Sequence, residues 1–179
     1  MKQCDDQTIR QIENAITHSG PISAGKVREW MACDSLQAQG ALKSLILSHS
    51  RRIEPPLSIP EICEILELYY RRCLIENTEG GYVSNRQVSG YELVNWFNSL
   101  WMDHNVPREQ LHRLKSMLRE LCLARLVPED EIVTAVLEHL FERIDIQEFF
   151  EDWRTDPRLA NAYALAKMWG DDHLIDSRP

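Results

Sequence analysis

The residues best placed to do chemistry lie between Pro107 and Gly170. Glu138, His139 and Glu142 fall on adjacent turns of a predicted helix, with His139 and Glu142 one turn apart. An imidazole and a carboxylate so spaced can share a metal ion or pass a proton. The order here is His-x-x-Glu, and the chain contains no H-E-x-x-H pattern of a zinc hydrolase. Gly80-Gly81 brings to mind a phosphate loop, but no G-x-G-x-x-G or Walker pattern surrounds it, so it reads as a turn. The sequence therefore predicts a protein that is not an enzyme, with no catalytic residue, metal or cofactor.

Charge rows are the more specific signal. Arg108, His112, Lys115 and Arg119 lie at offsets 0, 4, 7 and 11, a stripe beside the apolar face of Leu111, Leu114, Met117, Leu118, Leu121 and Cys122. On the next predicted helix Glu131, Glu138, Glu142 and Asp145 lie at offsets 0, 7, 11 and 14. They are expected opposite an apolar face of Ile132, Val133, Val136, Leu137, Leu140, Phe141 and Ile144, with Arg143 on a different bearing. Such a row faces solvent or holds a basic protein partner. These four carboxylates are the candidate partner-binding residues.

The elements that must position these rows read as helices. Ile9, Ile12 and Ile16 mark one over Thr8–His18, stopped by Gly20-Pro21. Ser23 caps a second with Val27, Trp30 and Met31, and Asp34 or Ser35 caps a third with Leu36, Leu42, Leu45 and Ile46. Pro55-Pro56 forbids continuation and sets the expected boundary between residues 1–56 and 57–179. Ser58-Ile59-Pro60-Glu61 is a capping box opening a long helix through Ile62, Leu66, Tyr69 and Cys73. Ser84 and Gln87 form another possible box before Leu93, Trp96, Phe97, Leu100 and Trp101, which share one face. Pro107 and Pro128 each start a helix, the second expected to run unbroken to Ile144. Ile146, Phe149, Phe150 and Trp153 continue the apolar pattern. Asp156-Pro157 then reads as N-cap and first turn of a last helix that Gly170 closes.

Composition sets the class. Of 179 residues, 44% are apolar and 27% charged, as in a soluble globular chain able to bury a core. The net charge of −8 is uneven: residues 1–56 hold seven Lys/Arg against six Asp/Glu, residues 57–179 thirteen against twenty-two. The C-terminal part should repel nucleic acid and anionic membranes and attract basic partners. The five cysteines are odd in number and lack C-x-x-C spacing, which predicts reduced thiols and a cytoplasmic location. No apolar run is long enough to span a membrane.

Two resemblances add to this reading. Gly20-Pro21-Ile22-Ser23-Ala24, Val27-Arg28-Glu29-Trp30-Met31, Asp34-Ser35 and Ala41-Leu42-Lys43-Ser44-Leu45-Ile46 resemble a helix-turn-helix of the winged-helix type. That likeness implies a third helix in the DNA major groove, with Ser35, Gln37, Gln39 and Lys43 as DNA-binding residues. It departs from the family at Arg51-Arg52-Ile53-Glu54-Pro55-Pro56, too short and proline-rich for a wing. Val136–Glu142, Phe149–Trp153, Asp156-Pro157 and Ala162-Tyr163 resemble small helical bacterial proteins, some of them immunity factors that neutralise a toxin.

The expectation is an all-α protein: an irregular helical bundle with a small N-terminal three-helix subdomain. Its core should gather around Trp96, Phe97, Trp101, Leu118, Leu137, Phe141, Phe150 and Trp153, with a short hairpin near Arg51–Pro56 or Tyr82–Val83. The leading function is a non-catalytic protein that captures a basic partner, in the manner of an immunity factor. The alternative is a DNA-binding transcriptional regulator using the N-terminal segment.

Overall fold

The computed structural model describes residues 5–174. Cys4 and the end of the expected polar tail, beyond Leu174, lie outside the described residues. The fold is all-α apart from one two-residue strand pair. It divides into two compact units, residues 1–73 with 77–84, and residues 74–76 with 85–179. Residues 57–73, expected with the C-terminal bundle, thus pack with the N-terminal helices.

The first unit holds α1 (Asp5–Thr17), β1 (Ile22–Ser23), α2 (Ala24–Met31), α3 (Leu36–His49), β2 (Ile53–Glu54) and most of α4 (Ile59–Glu76). Ser35 caps α3 by accepting from the Ala38 N–H, and Ser58 and Glu61 form the expected capping box of α4. No hairpin forms around Pro55. β2 pairs in parallel with β1, Ile22 opposite Ile53 and Ser23 opposite Glu54, with α2 and α3 as the crossover that parallel pairing needs. The core contains Ile12, Val27, Leu42, Leu45, Ile53, Leu66, Tyr69 and Tyr70. Gly80 and Gly81 take φ of +139° and +57°, so the Gly-Gly pair is a turn, closed by mutual backbone bonds between Gly80 and Val83.

The second unit holds α5 (Arg86–Met102), α6 (Arg108–Ala124), α7 (Glu129–Ile132), a π-helical segment (Val133–Leu137), α8 (Glu138–Leu140), α9 (Ile144–Phe149), α10 (Asp152–Thr155) and α11 (Ala160–Asp171). Phe97, Leu118, Leu137, Phe141, Phe150 and Trp153 are buried as expected, while Trp96 and Trp101 are half-buried. The α5 cap is Asn85, whose side chain accepts from the Val88 N–H, rather than Ser84.

The predicted helix from Pro128 to Ile144 is broken twice. Its middle widens into the π segment, which lets Ala135, Val136 and Leu137 all turn inward. It then stops at Phe141, where buried Gln147 donates to the Phe141 carbonyl at 2.6 Å. Gly170 also bears on that point: a Cβ there would meet Phe141 backbone atoms at 2.7 Å. Gly170 therefore serves close helix approach, and α11 runs one residue past it. Asp156-Pro157 forms a turn, and α11 begins only at Ala160.

Candidate functional site

The breaks decide where the acidic row goes. Glu131 sits on α7 and pairs with Arg86, whose buried guanidinium also donates to the Leu74 and Ile75 carbonyls. Asp145 lies beyond the break, at the start of α9. It accepts from Trp101 at 2.7 Å and from both Arg143 Nε (3.1 Å) and Nη2 (2.8 Å). The sequence placed Arg143 on another bearing. That geometry holds only for an unbroken helix, and the turn at Phe141–Arg143 swings the guanidinium onto Asp145. The four carboxylates therefore do not form one solvent-facing row.

Glu138 and Glu142 remain together. Their side chains are 23% and 24% exposed, half-buried rather than projecting opposite the core. His139 lies between them, with Nδ1 at 2.9 Å from Glu142 Oε1 and Nε2 at 3.5 Å from Glu138 Oε1. Burial pushes the Glu138 carboxyl above the usual carboxylate range, and the Glu142 charge adds to this, against the opposing pull of His139 and His173. Among the described residues no group of three or more His, Cys, Asp or Glu is arranged to hold a metal ion. Tyr91 of α5 stands edge-on to His139 with ring centroids 6.2 Å apart, and its side chain is 59% exposed. Val88, one turn earlier, is exposed beside it.

The basic row lies at the surface, with Arg108, His112 and Arg119 exposed and Lys115 half-buried, yet each side chain meets a neighbouring element of the same unit. Arg108 lies over the Trp101 ring at 4.4 Å and the His112 ring meets Phe149 at 4.9 Å. Lys115 donates to the Phe149 carbonyl at 2.7 Å and pairs with Asp152, and Arg119 pairs with Asp156 at 3.0 Å. The stripe beside the apolar face of α6 thus holds α5 through the Arg108–Trp101 cation–π contact, and α9, α10 and Asp156 through His112, Lys115 and Arg119.

The N-terminal candidates are engaged in their own unit. Ser35 is a helix cap. Gln37 donates to the Gly80 carbonyl at 2.6 Å and accepts from the Tyr82 N–H at 2.9 Å. Gln39 is 4% exposed and accepts from Arg72, while Lys43 is 8% exposed with its ammonium 5.0 Å from the Tyr69 ring centre. Gly40 makes this packing possible, since a Cβ there would overlap the Tyr82 carbonyl. The polar face of α3 packs on the Gly-Gly turn and on α4, leaving Gln39 and Lys43 buried and Ser35 and Gln37 half-buried.

The chain matches no family model, no curated protein and no solved structure. The site rests on its own geometry. Tyr91 and Val88 are not among the residues singled out from the sequence, because the apolar periodicity of α5 marks only its inward stripe. Their signal was present: both are apolar residues off the Leu93–Phe97–Leu100 face.

Proposed function

We propose that the C-terminal unit is a non-catalytic docking surface for a basic protein segment, working in the manner of an immunity factor that holds its partner. The observation that carries this reading is the exposed Tyr91 ring beside Glu138, His139 and Glu142. Two half-buried carboxylates are met by His139, with His173 acting on Glu138 only through its charge, so their negative charge is under-compensated. A lysine or arginine from a partner supplies the missing cation, and Tyr91 with Val88 supplies apolar area at low entropic cost. The charge speeds encounter and selects against acidic partners. Glu131 and Asp145 drop out of the contact set because Arg86 and Arg143 already neutralise them.

The test is affinity capture from the native host with three baits: wild type, Glu138→Lys/Glu142→Lys and Tyr91→Ala. A basic protein should be retained by wild type and lost from both variants, with circular dichroism unchanged. Equal retention by the charge-reversed bait would remove the proposal. Asp145 is left intact, because reversing it breaks the Trp101 and Arg143 bonds and confuses folding with binding.

A further inference from the structure

A cleft of about 360 Å³ opens in the N-terminal unit between the end of α1, β1 and α2. It is within the size range of small-molecule sites. Its walls are mostly apolar, contributed by Ala15, Pro21, Ile22 and Trp30. The charged groups lining it are Lys26 and Arg52, with His18 at the rim, and no carboxylate is among the lining residues. Glu13, Glu29 and Glu54 are the nearest acids in sequence and register, and none of them lines the cleft. In a chain of net charge −8, a mostly apolar cleft whose charged side chains are all basic is a local reversal of sign.

The two cations differ in role. Arg52 donates to the Ala15, Ile16, His18 and Gly20 carbonyls, which closes the C-terminal end of α1 and holds the guanidinium rigidly at the cleft. Those partners are neutral carbonyls, so its charge is not cancelled by a carboxylate among the described residues. Lys26 pairs with Glu29 at 2.5 Å, but both side chains are more than half exposed and the pair exchanges readily with another anion. Ser23 makes no capping bond with its hydroxyl, which is therefore available at the same wall.

We propose that this cleft binds a small organic anion: a compact apolar body, one or two rings in size, carrying a single carboxylate. The apolar part lies against Trp30, Ile22 and Ala15. The carboxylate lies between Lys26 and Arg52 and accepts from the Ser23 hydroxyl. The proposal is independent of the docking surface, since all the lining residues belong to the other unit.

The Trp30 indole N–H donates to Gln11 at 3.0 Å, and both residues line the cleft, so that resonance reports occupancy. The experiment titrates the ¹⁵N-labelled full chain with 2-naphthoate and, separately, with the neutral 2-naphthamide. Trp30→Phe assigns the resonance by its loss. The naphthoate should shift the Trp30 signal saturably, with naphthamide about tenfold weaker because it forgoes the charge-assisted bonds. Lys26→Glu should weaken naphthoate about fivefold and leave naphthamide unchanged. Lys26 is chosen over Arg52 because its loss leaves the α1 closure intact. A Trp30 signal unmoved by naphthoate, equal affinity for the amide, or an unaltered affinity in Lys26→Glu would each overturn the proposal.

Discussion

Trp101 donates its indole N–H to Asp145 at 2.7 Å, joining the last turns of α5 to the first turn of α9. Partial burial pushes the Asp145 carboxyl up, but hydrogen bonds from Arg143 and Trp101 outweigh it and hold the group below its ordinary value. A carboxyl lowered in the folded state stabilises the fold above its unfolded pKa, and the gain is lost as pH falls through the lower, folded one. Trp101→Phe should cost about 1 kcal/mol at pH 7, a charged hydrogen bond discounted for a partly exposed acceptor. The gap to wild type should narrow as pH drops below the usual carboxylate range. Urea unfolding at pH 7 and pH 3 measures both, and a constant gap would assign the cost to ring packing.

Arg86 and Glu131 should answer unequally to mutation although they form one ion pair. Arg86 is buried and also satisfies the Leu74 and Ile75 carbonyls at the end of α4. Arg86→Met should cost about 2–3 kcal/mol by orphaning those acceptors. Glu131 is partly exposed, so Glu131→Gln should cost under about 1 kcal/mol. Thermal melts of the two variants decide this, and similar losses would contradict it.

Gly90 faces Ala135 so closely that a Cβ would overlap the Ala135 carbonyl. Gly90→Ala should therefore destabilise by about 1–3 kcal/mol through overpacking, despite the better helix propensity of alanine. Gly25→Ala on α2 is the matched control. Its new Cβ approaches only the exposed Ser23 hydroxyl, at 3.4 Å, and the change should stabilise by about 0.5 kcal/mol. Opposite signs in chemical denaturation are the expected result.

The α4 capping box makes a pH prediction. Glu61 is lowered to about 2 by hydrogen bonds from the Ser58 side chain and backbone and from Arg28. Its contribution is present above the ordinary carboxylate value and lost as pH falls towards about 2. Ser58→Ala should cost about 1 kcal/mol at neutral pH and raise the Glu61 pKa towards the ordinary value. A ¹³C carboxyl titration of Glu61 reads that shift directly, and an unmoved pKa would locate the cause in the Ser58 backbone N–H and Arg28 instead.

Local chemistry made much of the architecture legible in advance. The Ser35 cap, the Ser58/Glu61 box, the Gly80-Gly81 turn and the apolar faces of α5 and α6 each depend on residues within one or two turns of each other. A side chain capping its own helix, or a glycine at positive φ, needs no distant partner to express its preference. That is why the all-α class and the starts at Pro107 and Pro128 follow from spacing alone.

Only the tertiary structure decided what the charged residues do. The acidic row assumed an unbroken helix, but Gln147, just past the break, and Gly170, far along the chain, meet Phe141 where that helix ends. The π segment, where Gly90 packs against the Ala135 carbonyl, shifts the phase once more. These changes of phase send Glu131 to Arg86 and Asp145 to Trp101, and leave Glu138 and Glu142 around His139. On the other unit, Gln39 and Lys43 read as groove contacts until α4 and the Gly-Gly turn covered them. Helical periodicity records which side of a helix is polar. Whether that side meets water, a cation or another helix depends on contacts between residues far apart in the chain, and those no local pattern encodes.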